Sequence, residues 1–156
     1  IESDPEKAAV KLSETLTNGK AVEIFDRMIA ELGGPKDFSG DWKRRLPEAN
    51  VIREIAAPET GVVAALDGRG IGMGGVHMGG GRLKGGERID PSVGYSEIVE
   101  LGEKVSKGQP LARLHARSER SAQAAEKAFL EAVTIGETAS PGPLIVAKVG
   151  CWRVRF

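Results

Sequence analysis

The sequence predicts an α+β chain: two N-terminal helices followed by a C-terminal α/β domain. Three observations carry that prediction. Apolar residues recur at helical spacing up to residue 34, short β-type runs begin only at residue 51, and one later stretch, SERSAQAAEKAFLEAVTIG, returns to the helical period. Strands and long helices do not alternate regularly, which disfavours a doubly wound parallel sheet.

The first helix is predicted in SDPEKAAVKLSETL, with Ser3 or Asp4 as N-cap, Pro5 at the first helical position, and Ala9, Leu12 and Leu16 at helical spacing. Asn18-Gly19 interrupts it. A second amphipathic helix follows in KAVEIFDRMIAELGG, placing Ala21, Phe25, Met28 and Leu32 on one face before Gly33-Gly34 ends the pattern. Residues 35–50, with two prolines, mixed charge and Trp42, show no sustained period and read as a connector between domains. Strands are then expected at VIREIAA (51–57), GVVAAL (61–66, after a Pro58-Glu59-Thr60-Gly61 turn), YSEIVEL (95–101), PLARLHA (110–116) and LIVAKVG (144–150). Between the last two, Ala122, Ala125, Phe129 and Ala132 share one helical face and Gly136 provides the stop. The division is therefore a helical segment 1–34, a connector 35–50, a domain 51–150, and an unassigned tail 151–156.

Composition narrows the function classes. The 156 residues, 40% of them hydrophobic, suffice for one ordinary core or for a small core with an appended helical piece. Lys+Arg and Asp+Glu both number 22, so no net field draws nucleic acid or an anionic membrane to the surface. A single cysteine, Cys151, excludes an internal disulfide and any site of several thiolates, which fits a reducing, cytoplasmic setting. No apolar run approaches the ~20 residues of a membrane span, and no signal-peptide pattern opens the chain. The start at Ile1, inside a charged capping phrase, is what a piece of a longer polypeptide would show.

The segment GMGGVHMGGGRLKGG (72–86) has the composition of a phosphate cradle. Gly70, Gly72 and Gly75 satisfy G-x-G-x-x-G, GVVAAL precedes them, and Asp90 lies at the position of a ribose-binding acid. The dinucleotide motif also needs a proper helix after the glycines and a second parallel strand ending at the acid. Here GGGRLKGG follows, and a proline comes directly after Asp90. With ten glycines among residues 68–86, an accidental match is the expected reading. Other constellations are thin. His77 and His115 have no ligand-spaced partner, so no metal site is expected. Cys151 has no positioned base, and G-x-S-x-G is absent. The basic residues beside tryptophan in DWKRRLP and CWRVRF read as solvated edges rather than a nucleic-acid track.

Three phrases in order, GKAVEIFDRMIAELGGPKDF, LPEANVIREIAAPETGVVAALDGRGIGMGGVHMGGGR and RIDPSVGYSEIVELGEKVSKGQPLARLHA, resemble the C-terminal portion of the pyrimidine-nucleoside phosphorylases, most closely the bacterial thymidine phosphorylase branch. They span nearly residues 19–116, and the likeness fades after residue 140. The resemblance implies a hammerhead-like β arrangement in the C-terminal domain, and a helix starting at Asp67 that leads into a GGGR loop. Where relatives carry alanine, Gly68, Gly70, Gly74 and Gly75 each weaken that helix by up to about 1 kcal/mol. It also implies a homodimeric parent enzyme in which inorganic phosphate, a co-substrate, attacks the anomeric carbon of a pyrimidine nucleoside and releases the free base.

The family's K-x-S phosphate motif and its pyrimidine-holding Arg, Ser and Lys belong to segments absent here. Lys11-Leu12-Ser13 falls inside a predicted helix, and Val105-Ser106-Lys107 runs in reverse order. No catalytic residue carries over to this chain, which is expected to be inactive without its N-terminal part. The candidate substrate-facing group is a lid loop, Gly79, Gly80, Gly81 and Arg82, expected to be loose in the chain by itself. No cofactor, nucleic acid or membrane partner is expected. ELGEKVSKGQPLARLHA also resembles the G-D-x-V-x-x-G-x-x-L phrase of biotinyl or lipoyl carriers, but neither A-M-K-M nor D-K-A is present to supply the carrier lysine. A stand-alone interaction domain is the third reading.

Overall fold

The computed structural model of the protein describes residues 2–143 and 145–147. The chain divides into two compact units, Ile1–Pro47 and Glu48–Phe156.

In the first unit α1 runs Pro5–Thr17, and its N-cap is Asp4, whose carboxylate accepts from the amides of Glu6 and Lys7. Proline at the first position gives up no helical hydrogen bond, because that amide has no intrahelical partner. Gly19, at φ 83°, turns the chain into α2, Lys20–Glu31. The second helix ends where Gly33 adopts φ 91° and the Gly34 amide donates to the Ile29 carbonyl at 2.8 Å. The predicted connector is not irregular throughout, since α3 occupies Phe38–Arg45 with a kink at Asp41. Tertiary contacts explain this helix better than its own pattern. The Phe38 ring lies 6.2 Å from that of Phe25, and the Asp26 carboxylate accepts from the Ser39 amide at 2.8 Å and its hydroxyl at 2.6 Å. None of the three helices contributes a buried residue.

The second unit holds the core. Its elements are β1 (Val51–Ala56), β2 (Gly61–Leu66), α4 (Gly68–Gly75) passing into one turn of π-helix (Val76–Gly80), β3 (Gly94–Ser96), β4 (Lys104–Val105), β5 (Pro110–Ala116), α5 (Glu119–Ala132) and β6 (Val133–Gly136). They form two three-stranded antiparallel sheets, ordered β1-β5-β3 and β4-β2-β6. In the first, Val51 faces Ala116 and Ile55 faces Ala112, which sets Ile55, Leu111 and Leu114 into the core. Helix α5 starts on a Ser118/Ser121 capping box and buries Ala122, Ala125, Phe129 and Ala132, the face its spacing predicts. The class is α+β, as the sequence predicts.

Two predicted elements are shorter than expected. The 95–101 run is regular strand only through Ser96, because Glu97 takes φ 53° and interrupts the ladder, although the Val99 amide still donates to the Leu111 carbonyl of β5 at 2.9 Å. The last helix stops at Ala132 instead of running to Gly136; the β-branched Val133, Thr134 and Ile135 pair with β2. The expected strand 144–150 is not seen at residues 145–147, which have no regular structure. Its remaining residues, and the tail with Cys151, lie outside the described residues.

Candidate functional site

Helix α4 sets the geometry of the glycine-rich segment. The Asp67 side chain caps it, accepting from the amides of Arg69 and Gly70 at 3.0 Å each. The Asp67 amide in turn donates to the Ala132 carbonyl at 2.8 Å, fastening the start of α4 to the end of α5. Gly70, Gly72 and Gly75 are thus helical residues, and the free amides at the helix start already have a carboxylate. The G-x-G-x-x-G match does not build a phosphate cradle.

Gly74 is buried against Tyr95: a Cβ there would lie 2.5 Å from the tyrosine oxygen. That hydroxyl donates to the Ala125 carbonyl at 2.8 Å, and the Tyr95 ring packs 5.2 Å from Phe129. Burial raises the Tyr95 pKa and keeps it a neutral donor. Glycine at 74 lets α4 approach β3 closely enough for this contact.

The candidate lid residues leave the helix in sequence. Gly79 sits in the π turn at φ 103°, a left-handed conformation that favours glycine. Gly80 ends the turn, and Gly81 is extended, with a Cβ at that position meeting Val76 at 2.6 Å. Arg82 is exposed, and its Nε donates to the Glu87 carbonyl at 2.9 Å. The Glu87 carboxylate accepts from the amides of Leu83 at 2.9 Å and Lys84 at 3.2 Å. Two amides suited to an anion are therefore held by a carboxylate of the same loop.

Where the loop returns, the Asp90 amide donates to the Gly79 carbonyl at 2.8 Å. The Asp90 carboxylate accepts from the Ser92 hydroxyl at 2.6 Å, the Ser92 amide at 3.1 Å and Arg117 Nε at 2.7 Å, and Arg117 Nη2 completes a two-pronged ion pair. The Ser92 donors, with help from Arg117, hold this carboxyl below its ordinary pKa. An acid so engaged has no role as a ribose ligand. Asp-x-Ser is the signal that announces this turn in the sequence; nothing local announces Arg117, which comes from 27 positions further along.

The histidines are not brought together by any hydrogen bond. His77 borders a cavity of about 120 Å³ with Gly74, Met78 and Ser121, whereas His115 Nε2 is 2.8 Å from the Ser96 hydroxyl on β3. Among the described residues no group of three His, Cys, Asp or Glu is placed to hold a metal, and no helix is long and apolar enough to cross a membrane. Residues 62–136, from β2 through the glycine-rich loop to the end of β6, match the family model described as the pyrimidine nucleoside phosphorylase C-terminal domain.

Proposed function

We propose, from the premise that this chain carries a pyrimidine nucleoside phosphorylase C-terminal domain, that it serves phosphorolysis of thymidine or a related pyrimidine deoxynucleoside. In that reaction a phosphate oxygen bonds to the anomeric carbon and the bond from that carbon to the pyrimidine nitrogen breaks. The electron pair leaves on the base, and the products are deoxyribose 1-phosphate and free base. Donors are needed on phosphate and on the departing base. We assign those donors to a separate N-terminal part of the enzyme, and to this chain a lid or docking role.

The family match across residues 62–136 carries the reading. The disposition of Arg82 supports the lid. Its Nε is spent on fixing the side chain to the loop, while among the described residues its terminal nitrogens have no protein partner. An exposed, always-charged guanidinium held this way suits a partner that arrives with substrate or with domain closure. The apolar residues exposed on α1 and α2, including Leu12, Leu16, Val22 and Ile24, suit burial against the remainder of the enzyme.

The test has two arms. The purified chain incubated with thymidine and phosphate releases no thymine, and its intact mass after expression beside biotin and lipoate ligases equals the sequence mass. In the complete enzyme Arg82→Ala lowers turnover about tenfold or more while shifting stability by less than about 0.5 kcal/mol. Thymine release by the chain alone, a lysine adduct, or an Arg82→Ala enzyme with full turnover contradicts the assignment.

A further inference from the structure

The excursion of residues 80–89 begins and ends at one hydrogen bond, from the Asp90 amide to the Gly79 carbonyl. A surface loop of this length whose ends meet in this way is an Ω-type loop, a compact unit packed by its own side chains. The neck has its own fastening. Asp90 is pinned by Ser92 from one side and by Arg117 from the other, and its side chain is only 14% exposed. Arg117 stands between two fixed elements, since Ala116 at the end of β5 is fully buried and Ser118 caps α5. Its carbonyl also accepts from the Asn50 side chain at 3.1 Å. The loop interior is closed separately, by Glu87 on Leu83, Lys84 and Arg82.

We propose that Asp90 and Arg117 form a clamp that sets the position of the glycine–arginine loop, with the Glu87 clasp holding the loop as one body that swings about the Gly79–Asp90 neck. In this proposal Arg117 is a positioning residue, acting through Asp90. Gly79 supplies the hinge torsion, because its φ of 103° is one that other residues rarely adopt. The clamp is a property of this domain alone. Its bearing on catalysis rests on the phosphorylase reading, and its test does not.

Residue-resolved amide hydrogen exchange on the chain as it stands separates the two fastenings. In Arg117→Ala the amides of Asp90 and Ser92 exchange about tenfold faster or more, while amides in the β1–β5 ladder keep their rates. Arg117→Lys, which keeps the charge but loses the two-pronged contact, restores only part of the protection. Glu87→Ala speeds Leu83 and Lys84 and leaves Asp90 unchanged. Unchanged Asp90 exchange in Arg117→Ala overturns the clamp. So does acceleration that spreads through β5, which marks Arg117 as a general stabiliser, and so does acceleration of Asp90 in Glu87→Ala, which makes clasp and clamp one unit.

Discussion

Asp90 joins three kinds of donor with a single carboxylate: a hydroxyl, a backbone amide and a guanidinium. All three favour the charged form, so its folded pKa is lowered. The sign of the pH effect follows. A carboxyl whose folded pKa is depressed contributes stability above its unfolded pKa, and that contribution is lost as pH falls through the folded value. The Ser92 amide resonance therefore titrates with a midpoint below the ordinary aspartate range. The Ser92 hydroxyl is the largest single cause and Arg117 lowers the pKa as well, so Ser92→Ala and Arg117→Ala each raise that midpoint. A wild-type midpoint at or above the ordinary value contradicts the geometry. Of these residues only Asp90 stands out in the sequence, and there only through an accidental match to a dinucleotide motif. A chemistry-bearing residue type is legible in the string; a partner supplied by a distant element is not.

At the scale of elements, α4 separates two kinds of glycine that composition cannot distinguish. Gly72 is exposed in the helix interior, and a Cβ there meets nothing within 4 Å, whereas one at Gly74 collides with the Tyr95 hydroxyl. Gly72→Ala thus stabilises the fold by about 0.5–1 kcal/mol through helix propensity and a less free unfolded chain. Gly74→Ala instead destabilises by about 1–3 kcal/mol, since the tyrosine must move and its bond to Ala125 suffers. Urea melts of the two variants check the pair, and equal shifts of the same sign refute the packing explanation. Sequence periodicity locates α1, α2, α5, β1, β2 and β5 because each carries its signal locally, in caps, faces and turn residues. It misses α3, whose support comes from Phe25 and Asp26 on another helix. It misreads Val133–Gly136, where an apolar continuation of a helical face conceals a strand that exists by pairing with β2.

For the molecule as a whole, the two units differ in what sustains them. Every buried hydrophobic side chain among the described residues lies between Ile55 and Ala132, with Phe129, Leu111 and Leu114 fully enclosed. The helical unit has none, while Leu12, Leu16 and Leu32 are each more than half exposed. Short helices without a buried face are marginal in water. Residues 48–143 produced alone accordingly melt cooperatively, and residues 1–47 produced alone show the circular dichroism of a largely unfolded peptide; a stable, cooperatively melting helical unit runs against this division. The α+β class is legible from the change of hydrophobic period near residue 51. The site is legible only as a glycine-dense loop with an arginine, because its fastenings to Glu87, Asp90 and Arg117 are made in three dimensions.

The assignment to pyrimidine nucleoside phosphorolysis is tested most directly by mixing the purified chain with the separately produced N-terminal part of a pyrimidine nucleoside phosphorylase and measuring thymine released from thymidine and phosphate. The predicted result is no release by either part alone and release by the two together. Release by this chain alone, or a folded and associated pair that stays inactive, contradicts it.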